Sequence, residues 1–349
     1  MTFRAAREVI ERAIAERAFP AASIEVGNAS EILWREAFGH LTFDSAGVTA
    51  QSDTIFDLAS LTKVLATAPL LMQQVERGAL ALDDPVAAHV PAWRGDDRAS
   101  VTLRDLLAHC SGLPAWRPYF RRIEGPTAYE AAISSEALDY VTRTRSVYSD
   151  LGFMLLGFAL ARDGHSLDQR FTALMRQADL AEEIQFSPPA LWRGRMAPTE
   201  DDPWRARLLV GEVHDENAWA LGGVAGHSGL FGTAGAVGAV ARHLMQILAG
   251  RTGIVARQTL ETFVARDATV PGSSRALGWD TMLRTSSCGS CLSARAFGHT
   301  GFTGTSLWID PEQNVYVVLL TNRVHPTRAN DRIRQVRPAF HDAVVAGLA

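Results

Sequence analysis

The chain of 349 residues contains a single lysine, and that lysine lies three residues after a serine. Lysine and arginine together number 34, and all of them except Lys63 are arginine. Residues three apart on a helix share one face, so a helix that begins near Ser60 places its hydroxyl beside the Lys63 amine. A serine hydroxyl needs a base to become a nucleophile. Lysine can be that base, because burial and nearby positive potential can lower its pKa, whereas arginine stays charged.

The same two residues also have a purely structural interpretation, and their spacing alone does not exclude it. In that interpretation Ser60 caps a helix and Lys63 is a chance survivor of an arginine-rich composition. The start of a helix does favour the chemistry, because its unpaired N–H groups carry partial positive charge. Those groups can stabilise the oxyanion that forms when Ser60 attacks a carbonyl.

Two further clusters contain residues suited to acyl chemistry. Tyr148 stands before Ser149 and Asp150, at the start of an apolar helix that either of those two residues could cap. A tyrosine with a reference pKa of about 10 can relay protons when a cation such as Lys63 lies close to it. The other cluster, residues 298–304, predicts either an ordinary glycine-rich edge strand or a wall of an acyl site, with glycines that let a substrate approach the backbone.

Taken in order, these three clusters resemble the motifs of the serine β-lactamase and penicillin-binding-protein superfamily. The pattern is serine-x-x-lysine, then tyrosine-x-asparagine, then lysine or histidine followed by threonine and glycine. The resemblance is closest to the class C β-lactamase-like branch, which also holds D,D-peptidases and family VIII carboxylesterases. It covers nearly the whole chain, and further stretches that carry it are residues 58–63, 80–86, 106–113 and 222–230.

The resemblance implies a role for each motif position. Ser60 would be the acylated nucleophile, Lys63 its base partner, and Tyr148 the group that shares the proton transfers and protonates the leaving group. The backbone N–H groups of Ser60 and Phe302 would form the oxyanion hole. The substrate-binding positions would be Asp150, His299, Thr300 and Gly301.

Two of these positions depart from the family pattern. Asp150 stands where the tyrosine motif usually has asparagine, and an ionised carboxylate accepts hydrogen bonds but donates none. If Asp150 faces the site it would hold Lys63 charged, and if it turns away it would cap the following helix. His299 stands where β-lactamases of this type usually carry lysine, which removes a permanent positive charge. Both departures weaken the expectation of an anionic β-lactam or peptide substrate.

Composition and charge exclude several other classes of function. The net charge is −4 and the pI is near 6.2, which give no sign of a basic surface for nucleic acid or anionic membranes. The first 19 residues are charged and lack the apolar core of a signal peptide, so a cytoplasmic location is expected.

Cys288 and Cys291 form a lone CxxC, which is better read as a flexible loop than as a metal half-site or redox pair. We expect no metal and no cofactor, and the sequence does not indicate an oligomeric state.

The motifs require a scaffold that brings both ends of the chain together. Strand-like runs occur at residues 22–26 and 31–38 and again at 305–309 and 315–321, while residues 81–205 are mainly helical in pattern. The expected fold class is α/β (α+β), with an antiparallel sheet built from both termini and flanked by helices, plus an all-helical lobe. The corresponding domains would be 1–80 with 206–349, and 81–205.

The leading hypothesis is a carboxylesterase that cleaves short-chain esters through an acyl-enzyme on Ser60. The alternative within the same chemistry is a β-lactamase or D,D-peptidase, so the expected partner is a small ester or lactam. A catalytically silent sensor or assembly protein is the alternative from another class, because Asp150 could spoil the site.

Overall fold

The computed structural model describes residues 2–162, 164–180 and 183–348, and within them both ends of the chain contribute to one large sheet. The strands, in chain order, are β1 Ala21–Gly27, β2 Ile32–Gly39, β3 Phe56–Asp57, β4 Ile184–Phe186, β5 Asp201–Asp202, β6 Arg207–Leu208, β7 Leu230–Gly232, β8 Asp280–Thr281, β9 Phe297–Thr300, β10 Ser306–Asp310 and β11 Val315–Thr321. The large sheet has the strand order β2-β1-β11-β10-β9-β8, with neighbouring strands antiparallel.

Helices cover both faces of this sheet and fill the middle of the chain. In chain order they are α1 Arg4–Ala15, a π-helical turn Lys63–Thr67 that continues into α2 Ala68–Glu76, α3 Val86–His89, α4 Leu103–Leu107, α5 Pro126–Ser135, α6 Asp150–Leu160, α7 Leu167–Gln177, α8 Glu216–Ala220, α9 Ala234–Leu248, α10 Arg257–Val264 and α11 Ile333–Ala346. Short 3₁₀ turns lie at Tyr119–Arg121 and Ala190–Arg195.

The alternation of side chains along β11 divides the core between the two faces of the sheet. All seven residues of β11 are buried. Successive side chains of a strand point to opposite faces, so Val317 and Leu319 pack with α1 and α11, while Val318 and Leu320 join the larger core that contains α9. This two-sided burial explains why β11 reads as a continuous apolar run.

The predicted fold class is confirmed, with antiparallel strands from both termini and helices around them. The predicted strands lie within one residue of β1, β2, β10 and β11. One amendment concerns residues 81–205, which also contribute the short strands β4 and β5 and so are not entirely helical.

The last helix, α11, begins at Ile333. Asn330 is held outside it, because its side-chain amide donates to the carbonyl oxygens of Arg17 and Ala18 at the end of α1.

The proposed division into a sheet domain and a helical domain remains a prediction. Residues on both sides of it share the larger apolar core, which includes Leu155 of α6 and Leu320 of β11. In the ranges that the structure describes, no helix combines the length and apolar character needed to cross a membrane.

Candidate active site

A strained turn after β3 presents Ser60. Ala59 has a φ of 46°, in the left-handed region that residues with a side chain rarely adopt. Its N–H donates to the Asp57 carboxylate at 2.8 Å, and the same carboxylate accepts the N–H of His214 at 2.7 Å. Burial raises the pKa of Asp57, and these two N–H donors oppose that shift. The turn is therefore held by buried hydrogen bonds.

The helical segment that follows begins with an irregular turn. Residues Lys63–Thr67 form a π-helical turn, a rare conformation that is frequent at functional sites. Thr62 Oγ1 donates to Ala59 O at 2.7 Å, and Thr67 Oγ1 donates to Gly226 O at 2.6 Å. These bonds attach the helix to the turn that presents Ser60, and Lys63 Nζ lies 3.0 Å from Ser60 Oγ.

Lys63 is fully buried and surrounded by three acceptors. Its Nζ lies 3.0 Å from Ser60 Oγ, 2.7 Å from Asp150 Oδ1 and 3.2 Å from His227 O. A lysine ammonium has three N–H donors and no acceptor. The three contacts therefore match the charged form of Lys63, which donates to the serine oxygen in this resting arrangement.

The pKa of Lys63 is not lowered in this arrangement, although burial alone would lower it. Burial does act to lower it, but the negative charge of Asp150, aided by Tyr148, outweighs burial and raises the pKa above its ordinary value. The physical reason is the orientation of Asp150, which faces the site. Ser149 caps α6 instead, with its Oγ accepting the N–H of Gly152.

Tyr148 lies between several rings and two cations. The Lys63 ammonium is 4.8 Å from the centroid of its ring and the Arg275 guanidinium carbon is 5.2 Å from it. The rings of His109 and His299 lie 4.6 Å and 5.7 Å from it. Burial raises the pKa of Tyr148, and the opposing effects of Lys63 and Ser60 do not cancel this. Tyr148 is therefore a neutral phenol at neutral pH, beside the pair of Ser60 and Lys63.

His299 is a buried residue of β9 in its neutral form. Its Nδ1 lies 2.8 Å from Thr300 O, an arrangement in which Nδ1 carries the proton and donates it. Burial, together with the charges of Lys63 and Arg275, holds the pKa of His299 well below its ordinary value. His299 therefore supplies no permanent positive charge, in agreement with the sequence-based expectation.

Thr300 and Gly301 line the cavity next to Ser60. A Cβ atom at Gly301 would stand 2.1 Å from Thr305 Oγ1 and 2.6 Å from Leu58 O. Only glycine at position 301 allows the segment after β9 to approach the turn that presents Ser60 so closely.

Two backbone N–H groups beside Ser60 are free to bind a ligand. Within the described residues, neither the N–H of Ser60 nor that of Phe302 donates to a protein acceptor. Both residues line the same cavity, and the Phe302 side chain is 51% exposed. Unpaired donors next to a nucleophile are the arrangement that an oxyanion hole requires.

The cavity over Ser60 has a volume of about 750 Å³, which is within the range of small-molecule sites. Arginines are part of its lining, and the sequence patterns did not predict them. In the described ranges, Arg323, Arg334 and Arg337 form no ion pair with a carboxylate, and Arg334 is exposed. The cavity lining therefore contains arginine side chains from α11 and from the segment after β11.

A hydrogen bond between His227 and Asp215 lies next to Lys63. His227, whose carbonyl oxygen accepts from Lys63, places its Nε2 2.9 Å from Asp215 Oδ1. Burial would raise the pKa of Asp215, but His227 lowers it well below its ordinary value. Asp215 also caps α8 through the N–H of Ala218. His227 lies in residues 222–230, one of the stretches that resemble the family. The resemblance marks this stretch, but it does not predict the contact between the His227 carbonyl oxygen and Lys63.

Comparison with known proteins gives one family for this chain. The family model described as Beta-lactamase matches residues 6–339. An N-acetylmuramyl-L-alanine amidase of Bacillus subtilis is 32% identical over 91% of this chain and 80% of its own length. A putative D-alanyl-D-alanine carboxypeptidase of Escherichia coli is 30% identical over 88% of this chain and 79% of its own length.

Among solved structures, a class C β-lactamase from Rhodobacter sphaeroides has the same fold. The TM-score is 0.77 with 20% sequence identity, and the match covers 99% of both chains.

Proposed function

The chain belongs to the beta-lactamase family, and on that premise we propose that it cleaves a carboxylic acyl bond by forming an acyl-enzyme on Ser60. The family is one of serine hydrolases that includes amidases and carboxypeptidases. The observation that carries the proposal is the 3.0 Å contact between Ser60 Oγ and Lys63 Nζ, beside the unpaired N–H groups of Ser60 and Phe302.

We place the proton transfer of acylation on Lys63 and Asp150 together. Lys63 is charged at rest, so it gives a proton to Asp150 before it accepts the proton of Ser60. The Ser60 oxygen then bonds to the substrate carbonyl carbon, whose oxygen becomes the oxyanion between the two N–H groups. After this step Asp150 is a neutral acid, Lys63 is again an ammonium and Ser60 carries the substrate.

Tyr148 is the candidate donor to the leaving group. Its pKa is raised, so it holds its proton at neutral pH, and it lies next to both Ser60 and Lys63. As the carbonyl–leaving-group bond breaks, Tyr148 gives its proton to the departing nitrogen or oxygen and regains one from Lys63. The proton held by Asp150 then restores Lys63, and a water molecule hydrolyses the acyl-enzyme.

An amide of a small anionic substrate, of the muramyl-peptide or D-alanyl-peptide class, is the preferred substrate in this proposal. The relatives with 30% identity or more support it, because their names describe an amidase and a carboxypeptidase. Arg334, which lines the cavity, supports it as well. Arg334 is exposed and unpaired within the described residues, so it can meet a substrate carboxylate directly.

Ester hydrolysis, the leading hypothesis from the sequence, is the second candidate. Asp150 favours it, because a carboxylate cannot donate a hydrogen bond to the side-chain amide carbonyl of a peptide or β-lactam, as an asparagine would. The departure of an alcohol also depends less on a proton from Tyr148 than the departure of an amine does. The silent-protein alternative is disfavoured by the short, unbroken series of contacts from Ser60 to Asp150.

A substrate panel tests the proposal, with Ser60→Ala as the blank. N-acetylmuramyl-L-alanine, a peptide ending in D-Ala-D-Ala, a short p-nitrophenyl ester and a chromogenic cephalosporin are compared by kcat/KM. The proposal predicts the highest value for one of the two amides. A highest value for the p-nitrophenyl ester would favour the carboxylesterase, and one for the cephalosporin would favour a β-lactamase. Equal rates with the Ser60→Ala variant would contradict the Ser60 mechanism.

A further inference from the structure

Arg337 of α11 reaches across to the strand segment that carries Phe302. Its Nη2 donates to Gly301 O at 2.7 Å and to Thr305 O at 2.8 Å. The Gly301 carbonyl and the Phe302 N–H belong to one planar peptide group, and that peptide is trans. The two groups therefore point in opposite directions. A guanidinium that holds the carbonyl from one side fixes the direction of the Phe302 N–H on the other.

The charge of Arg337 is almost fully buried, and no carboxylate among the described residues neutralises it. The side chain is 8% exposed, its Nε has no hydrogen-bond partner, and no described carboxylate forms an ion pair with it. Burial of an unpaired charge lowers the free energy of unfolding. A charge kept in such a position is therefore expected to serve the function of the protein. Burial and the neighbouring Arg323 lower the pKa of Arg337 to about 9, which still leaves it charged at neutral pH.

Arg323 holds the next peptide group in the same manner. Its Nε donates to Phe302 O at 2.7 Å, and its guanidinium carbon lies 4.3 Å from the centroid of the Phe302 ring. The carbonyl oxygens on both sides of the Phe302 N–H are therefore fixed by arginines. Hydrogen bonds from a charged donor are shorter and stronger than those between neutral groups, and a hydrogen bond to a peptide carbonyl polarises the N–H of the same group.

We propose that Arg337 is a positioning residue of the oxyanion hole, which aims and polarises the Phe302 N–H toward the developing oxyanion. The inference rests on the proposed acyl-enzyme mechanism at Ser60. Arg337 acts through the Gly301–Phe302 peptide group and its charge, without touching the substrate. Its contribution appears when the carbonyl oxygen becomes negative, so it belongs to the transition state.

The test is the infrared carbonyl stretch of the acyl-enzyme, measured with a ¹³C-labelled acyl donor in the wild type, Arg337→Gln and Arg337→Lys. Stronger hydrogen bonds in the oxyanion hole lower this frequency, so Arg337→Gln should raise it, and Arg337→Lys should restore part of the difference. We expect kcat to fall about 10- to 100-fold in Arg337→Gln with KM within about threefold, since loss of a whole oxyanion donor costs more. Arg332→Gln, an exposed arginine of the same segment outside the cavity, is the matched control.

Each result has a distinct meaning. An unchanged carbonyl frequency in a folded, acylated Arg337→Gln variant would overturn the inference alone. An effect confined to KM for anionic substrates would also overturn it, because Arg337 would then bind the substrate. If the Arg337→Gln variant does not fold, the Arg337→Lys variant decides. A carbonyl frequency equal to that of the wild type, in an Arg337→Lys protein that has lost the contact with Thr305 O, would count against the inference. Failure of the wild type to form any acyl-enzyme would overturn the proposed function and this inference together.

Discussion

Lys63 Nζ lies 2.7 Å from Asp150 Oδ1, and this ion pair changes the chemistry expected of the chain's single lysine. A spacing of three residues from Ser60 predicts a free amine that acts as base. The structure instead pairs a fully buried ammonium with a carboxylate that is 18% exposed. The basic group of the site is therefore a pair, and the residue that departs from the family pattern is the one that sets the protonation state.

Replacement of Asp150 by asparagine should move the acid limb of the pH profile for kcat/KM to higher pH. The wild type needs only an ionised Asp150 to accept the proton, whereas the variant must use neutral Lys63. Without Asp150, the largest influence left on the Lys63 pKa is burial, which lowers it, but a lysine still titrates above a carboxylate. We expect a loss of roughly 10²-fold at pH 7. A pH titration of both proteins checks this, and an unchanged acid limb would show that Asp150 takes no part in the proton transfer.

Replacement of Lys63 by arginine should abolish acylation almost as fully as replacement by alanine. Arginine keeps the charge but cannot give up a proton, so a loss of at least about 10²-fold in the acylation rate is expected. Rapid-quench measurement of the acyl-enzyme checks it, with thermal unfolding of both variants as the control for folding. Substantial acylation by the arginine variant would show that Lys63 acts only as a positive charge.

The wild-type pH profile should show no step near pH 6.5 from His299 and no alkaline loss below about pH 9. The pKa of His299 is held well below 6.5, so this residue is already neutral there. The pKa values of Lys63 and Tyr148 are raised above 10.5 and 10.0, so both keep their protons until that range is passed. The His299→Gln variant should change the height of the profile and leave its limbs in place. A limb near pH 6.5 that disappears in this variant would contradict a neutral His299.

Replacement of Arg334 by glutamine should raise KM for carboxylate-bearing substrates and leave neutral esters unchanged. Arg334 is exposed, so its ion pair with a substrate is screened by water and the expected effect is about two- to fivefold. The effect should shrink as salt is added. Arg284→Gln, an exposed arginine outside the cavity lining, is the control. Equal changes for charged and neutral substrates would argue against carboxylate recognition.

The parts of the fold that the sequence predicted are those with a local signal. The apolar run of β11 is a property of neighbouring residues, and so is the spacing of Ser60 and Lys63. Tyr148 and the strand of His299 were predicted as parts of the site from the order of the motifs, through the family resemblance.

What the sequence did not reveal depends on contacts between distant segments. Asp150 is 87 residues from Lys63, and its orientation decides the direction of the Lys63 pKa shift. The third partner of Lys63 is the main-chain oxygen of His227, a contact that no side-chain pattern encodes. Arg337 reaches Gly301 from the last helix, 36 residues away, and residue type alone does not show that its charge is unpaired.

Acylation of Ser60 can be measured by the mass of the intact protein after brief incubation with a fluorophosphonate, and separately with a slowly hydrolysed substrate. We expect one adduct per chain in the wild type, located on the peptide that contains Ser60, and neither adduct nor turnover in Ser60→Ala. Turnover by the wild type without any covalent intermediate, or an equal rate in Ser60→Ala, would contradict this expectation.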